Sequence, residues 1–173
     1  CALPICRAAG IVDTPPRLVG RKKKRTAGQV GGIILVPTRE LAMQVSEALH
    51  KYAAGTGVTV VPLYGGASMD RQIRNLRRRI EIAVATPGRL IDLMERNEVE
   101  LDQVRILVVD EADRMADMGF LPAVRRIVEA TAADRQVHLF SATFDGAVGT
   151  LSKALQNSPV RHEVGDAKPD VTK

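Results

Sequence analysis

The stretch Ile106-Leu107-Val108-Val109-Asp110-Glu111-Ala112-Asp113 decides the fold of this chain. Four apolar residues without a polar interruption make a strand buried on both faces, as in parallel sheets covered by helices. Such a strand delivers the residues after it to the carboxyl edge of the sheet, where α/β proteins bind ligands. Here those residues are a run of carboxylates. Asp110 can hold Mg²⁺, as in nucleotide hydrolases, where the ion neutralises phosphate charge. Alternatively it only caps the next helix, with Glu111 favouring the positive end of that helix. Taken alone, the stretch leaves both open.

Working outward, short Val/Ile-rich runs alternate with amphipathic segments. Strands are expected at 33–36, 58–63, 82–85, 106–109 and 137–140, with 160–164 a candidate to close the set. Helices are expected at 40–53, 69–79, 89–96, 121–131 and 145–157. This alternation specifies an α/β fold, a mostly parallel sheet with helices on both faces. Residues 1–9 have the character of a helix tail ended by Gly10. Residues 11–30 lack apolar periodicity and carry Arg21-Lys22-Lys23-Lys24-Arg25, a basic flexible loop. Residues 1–165 are expected to form one domain, with 166–173 the start of a linker.

Composition narrows the function classes. With 173 residues and 45% apolar content, the chain can bury a core, and no apolar run approaches membrane-spanning length. Its two cysteines, Cys1 and Cys6, and three scattered histidines, His50, His138 and His162, make neither a zinc site nor a disulfide framework. Reduced thiols and a cytoplasmic location are expected. A net charge of +5 and a pI near 9.6 suit a polyanionic partner. Aromatics are only 3% and Trp is absent, so stacking platforms for bases are scarce. A nucleic acid would be gripped by its backbone.

Four other strand ends carry residues suited to phosphates. Pro37-Thr38-Arg39-Glu40-Leu41-Ala42 comes after the first strand, Gly65-Gly66 after the second, Thr86-Pro87-Gly88-Arg89 after the third, and Ser141-Ala142-Thr143 after the strand ending in Phe140. Each alone could be a cap or a turn. All lie after strands, so a parallel sheet gathers them on one rim.

In that order, the five segments resemble the DEAD-box ATP-dependent RNA helicases, specifically the first of their two RecA-like domains. Arg114-Met115 and Asp117-Met118-Gly119-Phe120 resemble bacterial members. The resemblance implies ATP and Mg²⁺, with Asp110 and Glu111 on the metal side through water. It implies that Glu111 positions the attacking water and that Asp113 hydrogen-bonds to Ser141 and Thr143. It implies that Pro37, Thr38, Arg39, Gly65, Gly66, Thr86, Pro87, Gly88 and Arg89 contact the RNA backbone. The helix after Thr-Pro-Gly-Arg is implied to bend the bound strand, so that short duplexes open locally.

No Gly-x-x-x-x-Gly-Lys-Ser/Thr occurs in the sequence. Cys1-Ala2-Leu3-Pro4-Ile5 resembles the segment just after the phosphate loop in that family, so the fold is expected to lack its first strand and that loop. By itself this chain is therefore expected to be inactive as an ATPase. The parent's second RecA-like domain is an expected partner, and no membrane is. Two alternatives are an RNA-binding module without ATPase activity and, less in keeping with the Asp-Glu-Ala-Asp spelling, a DNA translocase.

Overall fold

The computed structural model describes residues 28–144, 146–156 and 159–162. Among the described residues, five strands and six helices alternate through the compact unit Lys24–Asn157: β1 (Val30–Leu35), α1 (Arg39–Ala53), β2 (Val60–Leu63), α2 (Met69–Leu76), β3 (Ile80–Ala85), α3 (Pro87–Glu95), β4 (Ile106–Val109), α4 (Ala112–Asp117), α5 (Leu121–Glu129), β5 (Gln136–Leu139) and α6 (Gly146–Leu155). These strands all pair in parallel, in the order β2-β3-β1-β4-β5. This is the α/β architecture the alternation specified.

Side chains alternate across the strands and build a core on each face. Ile33, Leu35, Val61, Leu63, Ala83, Ala85, Leu107 and Val109 join the larger core with Leu76 of α2, Leu90 and Leu93 of α3, Met115 of α4, Ile127 of α5 and Leu151 of α6. Val36, Val60 and Val84 turn to the other face and pack with Ala42, Leu41, Val45 and Leu49 of α1. The helices thus cover both faces. Beyond α1 that second face is barer: Ile106 of β4 is 46% exposed.

The two outer strands differ in how their edges are protected. The carbonyls of Thr59 and Leu63 accept from β3 and the residue after it, so Val60, Pro62 and Tyr64 turn their backbone outward. Proline at that outward position removes a donor, and Gln72 Nε2 caps the Tyr64 carbonyl at 2.9 Å. At β5, Gln136 and Phe140 donate toward β4, which leaves Val137 outward; Gln156 Nε2 donates to its carbonyl at 3.1 Å.

Several boundaries differ from the sequence expectation. The first strand begins at Val30, within the expected loop 11–30, and Gln29 makes an isolated bridge to Glu100. It runs through Gly31-Gly32 because strands on both sides pair it, with Gly32 opposite Ile82 and Ile106. The second strand starts at Val60 rather than 58, the third at Ile80 rather than 82, and the last covers 136–139. Helix α2 stops at Leu76 rather than 79, where Arg77 closes it with bonds to the Asn75 and Ile73 carbonyls. No strand forms at 160–162, so the closing strand expected at 160–164 is not made by its described residues. Residues 1–27, which include the expected helix tail and basic cluster, and 163–173, which include the expected linker, lie outside the described residues.

Candidate nucleotide and nucleic-acid rim

The carboxyl ends of the strands are level. Leu35 stands opposite both Ala85 and Val109, Leu63 opposite Ala85, and Val109 opposite Leu139. Backbone bonds continue one step past the ladder: Val36 N to Ala85 O, Thr86 N to Leu63 O, Asp110 N to Leu35 O, and Phe140 N to Val109 O. All five sequence segments therefore start from one edge. β1 sends its chain toward β2 and β4 sends its chain toward β5, so the crevice between β1 and β4 is where such a sheet takes a ligand.

On the β4 side, the carboxylates dock onto the hydroxyl segment. The Ala112 amide donates to Phe140 O at 3.0 Å, and the Asp113 amide donates to Ser141 Oγ at 3.2 Å. Asp113 thus reaches Ser141 through its main chain. Thr143 is exposed and makes no hydrogen bond to Asp113. Glu111 turns the chain from strand to helix in the left-handed conformation, φ 48° and ψ 52°, uncommon for a non-glycine residue. Its amide donates to Asp110 Oδ1 at 3.0 Å, which leaves Oδ2 of Asp110 for another partner. Burial pushes the Asp110 carboxyl above its ordinary value; the Glu111 amide opposes this, and the Glu111 charge adds to it. A half-buried carboxylate short of positive charge suits a cation. Two adjacent carboxylates match Mg²⁺ that keeps most of its waters.

On the β1, β2 and β3 side the segments interlock. Thr38 caps α1, its Oγ1 accepting from the Leu41 amide at 3.3 Å, so the structural role foreseen for it is real. Gly66 has φ +80°, and a Cβ there would stand 3.4 Å from Arg39 Nη1, so the guanidinium lies over bare backbone. Both terminal nitrogens of Arg89 donate to Ala67 O at 3.2 Å. Pro37 and Pro87 are buried, Pro87 opening α3, where a missing amide is harmless. Thr86 precedes α3 without a side-chain cap bond, its hydroxyl unused by the helix. Gly65, Gly66 and Gly88 are exposed.

Two charged residues outside the expected site join it. Arg39 Nε donates to Glu40 Oε1 at 2.7 Å, and Arg114 Nη1 donates to Glu111 Oε2 at 3.2 Å. The hydrogen bond from Arg39 holds the Glu40 carboxyl below its ordinary value, with a smaller pull from Arg114. The spacing of Glu111 and Arg114, one helical turn apart, was a signal available in the sequence.

A family model described as DEAD/DEAH box helicase matches residues 4–151. DEAD-box ATP-dependent RNA helicase 30 of Arabidopsis thaliana is 46% identical over 153 residues, which are 87% of this chain and 26% of that protein. The ATP-dependent RNA helicase RhlB of Pseudomonas aeruginosa is 44% identical over 160 residues, 89% of this chain and 38% of that protein. A crystal structure of a hypothetical ATP-dependent RNA helicase from Sulfolobus tokodaii superposes with a TM-score of 0.70 at 33% identity, covering 75% of this chain and 39% of that one. The chain therefore spans well under half the length of these relatives.

Proposed function

The chain belongs to the DEAD/DEAH box helicase family and has its RecA-like α/β fold, and from that premise we propose that it is part of an ATP-dependent RNA helicase. In this proposal residues 1–165 are part of the first of two RecA-like domains. It binds RNA by the backbone and couples ATP hydrolysis to local duplex opening or RNA–protein remodelling. The observation that supports it most is the docking of the acid segment on the hydroxyl segment, Asp113 amide to Ser141 Oγ, on the edge that carries Arg39, Gly66 and Arg89.

Asp110, aided by Glu111, would hold Mg²⁺ through water; the ion supplies charge neutralisation for the phosphates. Glu111 orients the attacking water. Phosphoryl transfer is carried mainly by positioning and electrostatics, so a misplaced Glu111 carboxylate costs rate directly. Ser141 is committed to α4, which ties the position of Glu111 to the segment after β5.

RNA phosphates meet the exposed Arg39, the Thr86 hydroxyl and the bare backbone at Gly65, Gly66 and Gly88. Arg89 braces the glycine loop through Ala67 and contacts RNA at its margin. Such contacts position the strand without reading sequence. A cytoplasmic setting suits this activity, and no helix among the described residues is long and apolar enough to cross a membrane.

The test is phosphate release by the full-length protein that carries this chain. RNA-stimulated turnover that is lost in Glu111→Gln is expected. Tight RNA binding without any ATP turnover would instead make the protein a non-catalytic binding module. Stimulation by DNA equal to that by RNA of the same sequence would overturn the RNA assignment, since only RNA offers a 2′-hydroxyl.

A further inference from the structure

Four charges of alternating sign stand in two ion pairs just past the ends of β1 and β4: Arg39 with Glu40, and Arg114 with Glu111. Arg39 pairs with Glu40 at 2.7 Å, and Arg114 pairs with Glu111 at 3.2 Å. The two pairs sit on neighbouring strand ends, since Leu35 is opposite Val109 and Asp110 N bonds Leu35 O. Arg114 also draws on the Glu40 carboxylate through space. One end of the row belongs to the RNA grip and the other to the group that orients water.

We propose that this row is an ion-pair relay by which RNA releases Glu111 for hydrolysis, with Arg114 as its positioning residue. Without RNA, Arg39 satisfies Glu40, and Arg114 holds the Glu111 carboxylate to the side in an ion pair. A phosphate on Arg39 competes with Glu40 for the same guanidinium. Glu40, losing that partner, attracts Arg114. The Glu111 carboxylate then loses its cation and accepts from the water instead. No proton or bond changes hands; only partners are exchanged.

Every side chain of the row is at least 40% exposed, with side-chain exposures of 57% and 60% in the first pair and 57% and 40% in the second. Exposed pairs of this kind are weak enough to be exchanged by a phosphate, and each can alter a rate by about two- to fivefold. Buried pairs would lock.

The inference rests on Glu111 as the water-positioning group, and the experiment separates the two. In the full-length protein, Arg114→Ala is expected to raise RNA-free ATP turnover about two- to fivefold and to lower the stimulation ratio accordingly. Arg114→Lys, which keeps a cation, is expected to restore the low RNA-free rate. Glu40→Gln is expected to lower the RNA-saturated kcat by a similar factor without raising the KM for RNA. A fall in both RNA-free and RNA-saturated rates in Arg114→Ala would make Arg114 merely structural and refute the relay. So would a Glu40→Gln variant stimulated as strongly as the parent. Loss of RNA-stimulated turnover in the unmodified protein, or its survival in Glu111→Gln, would instead refute the function on which the relay rests.

Discussion

Replacing Gly66 with alanine tests the rim most directly, because its neighbour Gly65 supplies an internal control. Gly66 has φ +80°, a conformation that costs an L residue roughly 1–2 kcal/mol. The added Cβ would stand 3.4 Å from Arg39 Nη1, the far end of a flexible side chain, which can yield by a few tenths of an ångström. The backbone cost therefore dominates. For a chain of this size each kcal/mol lowers Tm by about 2–4 °C, so Gly66→Ala is expected to lower the transition of this domain by about 2–8 °C. Gly65 has no positive φ, and a Cβ there would meet nothing within 4 Å. Gly65→Ala should leave stability unchanged or raise it by up to about 1 kcal/mol through the unfolded chain. Gly66→Asn carries the same Cβ but tolerates the left-handed turn, so it should recover most of the loss. Thermal melts of the three variants, beside RNA titrations, make the measurement. RNA affinity should fall in both alanine variants if phosphates approach the bare backbone, although only one of them loses stability. Equal destabilisation by Gly65→Ala and Gly66→Ala, or no advantage for Gly66→Asn, would refute the reasoning.

Asp110→Asn is expected to raise Tm at pH 7 while abolishing ATP turnover. A carboxyl whose folded value lies above its unfolded one costs stability as pH rises through that window, and the loss persists above it. Since the group is partly exposed, the gain should stay below about 1 kcal/mol and vanish below the carboxylate range; a lower Tm at neutral pH would count against it. Arg89→Lys removes the two-pronged bond to Ala67 O and should weaken the glycine loop by about 1–2 kcal/mol, read as faster hydrogen exchange at 65–68 and a higher KM for RNA. Unaltered exchange there would show that Arg89 does not brace the loop.

Much of this arrangement is legible in the residues. Ile106 to Val109 is a strand to the residue, because an apolar run closed by carboxylates has one solution in a covered parallel sheet. The common rim was legible for the same reason: every telling segment comes directly after a strand. Strand order was not, since β3 lies between β1 and β2 through long-range pairing that no local pattern encodes. Val30 belongs to the expected loop 11–30 and Gly31-Gly32 to neither expected element, yet all three are strand, a case of tertiary pairing overriding weak local propensity. The six-residue α4 is too short to show a periodicity, and the left-handed backbone at Glu111 is invisible in a residue type that rarely adopts it. Glu40 stands next to Arg39 in its own segment and Arg114 one turn after Glu111, so each pairing was available locally; what no motif spacing encodes is that the two pairs stand on neighbouring strand ends.

The level strand ends carry a mechanical consequence. Adjacent strands in register, held by main-chain bonds up to their last residues and, for β1, β3, β4 and β5, one step beyond, cannot slide past one another by less than a whole repeat. The ledge on which acids and arginines stand is thus a fixed ruler. Signals crossing it must travel by swinging side chains above a platform that stays still.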